Sequence, residues 1–246
     1  MKAIQINEGT YPLKGRLYGS IDKSSPRPAL IFLSGWNPSR ISWTFMDIYA
    51  GLCAKKFGIV CVTAALRGMG SEGNIDTLTR SDFLDDVTSI FDYTTHIEGV
   101  DKERISFCGE SFGAYLACLL SSKRPVKNLI LRVPTDFPDA GFFEKPQKDI
   151  VGRLSIDWKL QKHLPDESFA LHAVQVFKNN IFIIASENDA FVPQQTIENY
   201  LEAAVNSRKT EYFLMKNMGH ALINPIKQYE FVRILFEIIG SPIFRS

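Results

Sequence analysis

The residues Gly109, Glu110, Ser111, Phe112 and Gly113 place a serine between two glycines, after one apolar run and before another. That pattern suits a sharp strand-to-helix turn. Its flanking glycines let the backbone approach closely and leave the serine hydroxyl at the tip. At the start of a helix the dipole favours developing negative charge, and the N–H of Phe112 points towards a carbonyl under attack. The chemistry offered is acyl transfer through a nucleophilic serine. A serine hydroxyl is a poor nucleophile near neutral pH, so a histidine must take its proton and a carboxylate must hold that histidine in the right tautomer.

Other patterns with chemical overtones read as structural. Arg67, Gly68, Met69, Gly70, Ser71, Glu72 and Gly73 form a glycine-rich loop in which the glycines permit tight turns and Arg67 anchors neighbouring loops. It lacks the Lys-Ser/Thr of a phosphate-binding loop and the surrounding spacing of a dinucleotide site. Asp82, Asp85 and Asp86 sit near a helix start, where they cap or favour the dipole rather than gather a metal. Cys53, Cys61, Cys108 and Cys118 lie in apolar stretches without the close pairing of zinc or redox motifs, and are expected to be free buried thiols. Neither metal nor cofactor is expected.

The elements that must position Ser111 alternate between short apolar runs and longer amphipathic stretches, the rhythm of parallel strands and crossover helices. Strands are expected at Ala29–Ser34, Ile59–Ala64, Arg104–Gly109, Asn128–Val133, Ile181–Ala185 and Glu211–Met215. Lys2–Asn7 and Leu13–Ile21 add two edge strands, making eight in all. Helices are expected at Trp43–Phe57, Ser81–His96, Phe112–Lys123, Pro193–Val205 and Pro225–Ile239. Ser81 precedes an acidic first turn, and Pro193 and Pro225 stand where a first helical residue needs no N–H partner.

Residues 134–180 break the rhythm, being longer than a simple crossover requires. Prolines and charges there surround Phe137, Phe142, Phe143, Trp158 and Phe169, a composition suited to a small lid that folds an apolar face over a cleft. Phe142, Phe143 and Trp158 are the substrate-binding candidates, and the alternative is that these aromatics fasten the insertion to the domain.

With 246 residues, 45% apolar and 22% charged, the chain has the length and composition of a single globular domain, 1–246. A formal net charge of +1 supplies no general field for nucleic acid or an anionic membrane. The opening stretch lacks the apolar core of a secretory signal, and no run of about 18 apolar residues occurs, so a cytoplasmic protein without an integral membrane segment is expected. Oligomeric state is left open.

From Lys14 to Ile239 the chain resembles the α/β-hydrolase superfamily, above all its compact esterases, including the feruloyl-esterase-like group, and the catalytic domains of prolyl-oligopeptidase-type peptidases. The resemblance implies a mostly parallel, eight-stranded sheet flanked by helices, and a triad in the order serine, acid, histidine. The loop Ser186-Glu187-Asn188-Asp189-Ala190-Phe191-Val192-Pro193 resembles the family's acid loop, with Asp189 as acid and Glu187 as its alternative. Gly219-His220 resembles the loop that carries the base, whereas His96, His163 and His172 read as surface or packing residues. Phe112 N–H would be one oxyanion donor and Trp36 N–H the other, with Asn37 as the alternative; Ser34 replaces the histidine common in that loop. The implied activity is a carboxylesterase, a cofactor-free serine hydrolase acting on a small acyl substrate. A thioesterase or acyltransferase, a peptidase or amidase, and a non-catalytic binding protein are the alternatives.

Overall fold

The computed structural model describes residues 1–36, 41–69, 77–144 and 154–245. Its centre is one sheet of eight strands: β1 (Lys2–Ile6), β2 (Leu13–Tyr18), β3 (Arg27–Leu33), β4 (Val60–Ala64), β5 (Val100–Glu110), β6 (Asn128–Arg132), β7 (Asn180–Ser186) and β8 (Lys209–Met215). They lie in the order 1-2-4-3-5-6-7-8. β2 runs antiparallel to both β1 and β4, and β3 to β8 are parallel. This is the mostly parallel, eight-stranded arrangement of the α/β-hydrolase fold.

The central strands are buried along their lengths because helices cover both faces, which is why they read as continuous apolar runs rather than alternating ones. On one face α2 (Arg80–His96), α3 (Phe112–Ser121), α5 (Phe169–Val176) and α6 (Gln194–Ala203) pack with Ile31, Phe107, Leu131 and Ile183. On the other, α1 (Ile41–Phe57), α7 (Pro225–Gly240) and the short α8 (Pro242–Arg245) pack with Phe32, Cys108, Ile130 and Phe182. A short helix, α4 (Leu154–Lys159), and a 3₁₀ turn at Pro165–Glu167 precede α5. All four cysteines are free and buried.

Three local expectations are corrected. The cap of α2 is Thr79 rather than Ser81: its hydroxyl accepts from Asp82 N–H while the Asp82 carboxylate accepts from Thr79 N–H, a reciprocal capping box. Pro193 is the N-cap of α6, not its first helical residue, whereas Pro225 does begin α7. Asp86 does not serve the dipole; it is buried and accepts from Arg67 N–H and Nε, each at 2.7 Å. Arg67 thereby ties the loop after β4 to α2. Asn37, the remainder of the glycine-rich loop at Gly70, Ser71, Glu72 and Gly73, and positions 145–153 of the insertion lie outside the described residues.

No helix among the described residues is long and apolar enough to cross a membrane.

Candidate active site

Strand β5 ends at Glu110 and α3 begins at Phe112, so Ser111 makes the whole turn by itself. Its φ of 53° and ψ of −113° put a non-glycine residue in an unfavourable region that only surrounding contacts can maintain. Ser111 N–H donates to the Arg132 carbonyl at 2.9 Å, and its own carbonyl accepts from Ala114 and Tyr115 N–H at 3.1 Å. A Cβ at Gly109 would stand 2.6 Å from the Ala114 backbone, and one at Gly113 2.6 Å from the carbonyl oxygens of Leu33 and Ser34. Both flanking glycines are therefore steric requirements of the turn. The Ser111 side chain makes no capping bond to α3, so its hydroxyl is not spent on the helix it precedes.

Two later loops meet at the same end of the sheet. His220 Nδ1 lies 2.8 Å from Asp189 Oδ2, while Asp189 Oδ1 accepts from Phe191 and Val192 N–H, both at 2.8 Å. The Asp189 side chain is only 1% exposed, and burial by itself would raise its carboxyl. The hydrogen bond and charge of His220, with the two backbone donors, outweigh that effect and hold it below the ordinary carboxylate range. Because the acid accepts at Nδ1, Nε2 is the ring nitrogen left to exchange a proton. Glu187 points elsewhere, accepting from Asn217 N–H at 2.7 Å. Backbone bonds from Glu187 N–H to Met215 O and from Asn188 N–H to Met218 O bind the acid loop to the base loop.

Beside Ser111 runs the loop after β3. A Cβ on Gly35 would come within 3.2 Å of Ser111 Cβ, so this backbone passes directly against the serine. Trp36 is fixed there by edge-on contacts with Phe112 at 5.1 Å and Phe83 at 5.4 Å between ring centres. Phe112 opens α3, where an N–H has no intrahelical acceptor. The arrangement can present two backbone donors beside one hydroxyl.

The aromatic candidates in the insertion have different surroundings. Trp158 Nε1 donates to Asp136 at 3.0 Å, and its ring stacks on His163 at 3.5 Å between centres. Phe142 is 6% exposed and packs against Phe169 and the Arg80 guanidinium, whereas Phe143 is 75% exposed. Arg80 Nη2 also donates to the carbonyls of Pro138 and Ala140, pinning this part of the insertion to α2.

Several residues around the site have no role assigned by the sequence motifs. Glu110 and Arg132 are register neighbours on β5 and β6 and form an ion pair at 2.6 Å. Lys159 is buried with its ammonium 5.2 Å from the centre of the Phe137 ring; burial lowers its amine to about 8, against the upward pull of Asp189 and Asp136. Phe191 leans over His220 at 5.3 Å between centres. The one signal available for Arg132 was a charge closing a strand, β6, whose middle is apolar. Among the described residues no three histidine, cysteine, aspartate or glutamate side chains gather as metal ligands.

No family model matches the sequence. An uncharacterized protein of Mycobacterium tuberculosis, in strains CDC 1551 / Oshkosh and ATCC 25618 / H37Rv, is 27% identical over 155 residues, which is 63% of this chain and 50% of the relative. The chain spans about half the length of the curated relatives it matches. Solved structures match along nearly its whole length. DcsB in complex with its substrate analogue superposes with a TM-score of 0.71 at 16% identity, covering 98% of this chain and 99% of that one. The esterase Est2 of Thermogutta terrifontis gives 0.71 at 18%, covering 97% and 91%. The acylaminoacyl peptidase of Pyrococcus horikoshii gives 0.71 at 16%, covering 98% of this chain and 41% of the peptidase. The chain thus has the α/β-hydrolase superfamily fold, with esterase- and peptidase-type structural relatives.

Proposed function

We propose that the protein is a serine hydrolase that cleaves a carboxylic ester through an acyl-enzyme. The observation that carries this reading is the Asp189–His220 hydrogen bond at 2.8 Å at the end of the sheet where Ser111 forms a strained strand-to-helix turn. In this reading Ser111 Oγ attacks the ester carbonyl as His220 Nε2 takes its proton. Asp189 holds Nδ1–H and stabilises the imidazolium. The tetrahedral oxyanion accepts from the N–H groups of Phe112 and Trp36, and each such donor contributes about 2.7–4 kcal/mol to lowering the barrier. Collapse breaks the C–O bond, His220 protonates the departing alkoxide, and a water activated by the same nitrogen releases the acid. In this reading the part of the insertion before α5 acts as a small cap, with Phe142, Phe143 and Trp158 as its substrate-binding candidates.

The preference for an ester follows the likeness to compact esterases such as Est2. A fluorophosphonate probe tests the chemistry: labelling of the folded protein that disappears in Ser111→Ala is the expected result. Labelling that survives the substitution, or none in the wild type, overturns it. Ranking kcat/KM across carboxylic esters, thioesters and aminoacyl amides then tests the leaving group, esters being expected to lead.

A further inference from the structure

Arg132 is the last residue of β6, fully buried, and touches both halves of the site. Its carbonyl accepts from Ser111 N–H at 2.9 Å. Its Nη2 donates to the carbonyl of His220 at 2.7 Å, and its Nη1 pairs with Glu110 at 2.6 Å. The guanidinium lies 6.0 Å from the centre of the Phe231 ring, and its Nε is buried with no hydrogen-bond partner. The neighbouring titratable groups are Tyr49 on α1 and Cys108 on β5, both buried.

Such an arrangement is a poor way to gain stability. A buried ion pair seldom outperforms a well-packed apolar side chain of similar volume, and an unsatisfied Nε adds a further cost. The pairing with Glu110 explains how the charge is tolerated, because the two residues are register partners in parallel strands. It does not explain the second arm, which reaches beyond the sheet to the base loop. That arm joins a residue already bonded to the nucleophile's own N–H to the backbone of the proton acceptor. The chain turns sharply just after it, at Val133 with φ 39°, whose N–H is held by Ile184 O at 2.8 Å, so the strand end has little freedom to shift.

Resting on the serine-hydrolase reading above, we infer that Arg132 is a positioning residue: its carbonyl and guanidinium fix His220 at a set height relative to Ser111, and Glu110 orients the guanidinium for that task. Loss of the guanidinium removes the direct tie between the strand end that holds Ser111 N–H and the loop that carries His220. Displacements of about 1 Å in such a pair lower rates by up to a hundredfold.

The test compares wild type with Arg132→Met, Arg132→Lys and Glu110→Gln by three readouts. These are the rate of Ser111 labelling by a fluorophosphonate, kcat and KM on an ester, and the downfield NMR signal of the His220 Nδ1 proton shared with Asp189. Arg132→Met is expected to slow labelling and kcat by about tenfold to a hundredfold, with KM within about twofold, and to broaden the Nδ1 signal. Arg132→Lys, which keeps the charge but cannot serve both partners, recovers part of each. Glu110→Gln, which keeps the arm to His220, falls between wild type and Arg132→Met. Rates in a folded Arg132→Met within about twofold of wild type, with a sharp Nδ1 signal, overturn the inference. So does Arg132→Lys behaving as wild type, which decides the matter should the methionine variant not fold. If the wild type fails to label, the hydrolase reading falls, and the Nδ1 signal still decides whether Arg132 fixes His220.

Discussion

Trp36 meets Phe112 edge-on, with ring centres 5.1 Å apart and planes at 87°. The two residues proposed to supply the oxyanion donors are thus joined by their side chains as well as by their place beside Ser111. In Trp36→Ala the loop after β3 loses its contacts with Phe83 and Phe112. The expected outcome is a loss of about 2–3 kcal/mol in stability, less than for a fully buried tryptophan, and a fall in kcat larger than the rise in KM. Urea denaturation and steady-state kinetics on the same preparation check it; unchanged kcat would detach the ring from the donor.

Asp189→Asn keeps the shape of the acid but lets its amide donate towards His220 Nδ1, favouring the tautomer that leaves Nε2 protonated. A fall in kcat of about 10⁴-fold is expected with the fold retained. The pH dependence has a defined sign. The folded carboxyl lies below its ordinary range, with burial opposing the shift and His220 and two backbone N–H groups producing it. Its stabilising contribution is therefore fully present above the unfolded value of about 3.9 and is lost as pH falls through the lower folded value. The stability gap between wild type and Asp189→Asn should narrow below about pH 4, as measured by denaturant midpoints across that range.

Lys159 gives a dependence of the same sign at the other end of the pH scale. Burial depresses its amine to about 8, although Asp189 and Asp136 pull it upward. The unfolded chain holds that proton up to about pH 10.4, so the unfolded state binds more protons between the two values and stability rises with pH there. Lys159→Met should be at least as stable as wild type at pH 7 and should lack this rise. Chemical denaturation at intervals from pH 7 to 10 checks it, a constant offset between the two proteins being the contrary result.

The sequence made the larger architecture legible because buried parallel strands and amphipathic helices leave strong apolar patterns. β4, β6 and β7 begin and end within a residue of where composition placed them. Ends that depend on pairing were less visible: β5 begins at Val100, ahead of the expected Arg104, because Val100 pairs with Arg27 beyond an irregularity in the ladder. At the site, Ser111, Asp189 and His220 stood out through short loops with recognisable flanks. Arg132, Glu110 and Lys159 did not, since each acts on groups far away in sequence that only the folded sheet and insertion bring near. Thr79 shows the same limit on a smaller scale: its hydroxyl and that of Ser81 look equally able to cap α2, and the backbone geometry chooses between them.

The positive φ of Ser111 restricts which nucleophiles this scaffold can carry. A β-branched side chain fits that backbone region poorly, so threonine is closed to the position even though it supplies the same hydroxyl. Cysteine, unbranched at Cβ, meets no such barrier. Glycine would relieve a conformational cost on the order of 1–3 kcal/mol, which makes the inactive protein the more comfortable one. In the proposed reaction, reactivity at this position is kept against the preference of the fold.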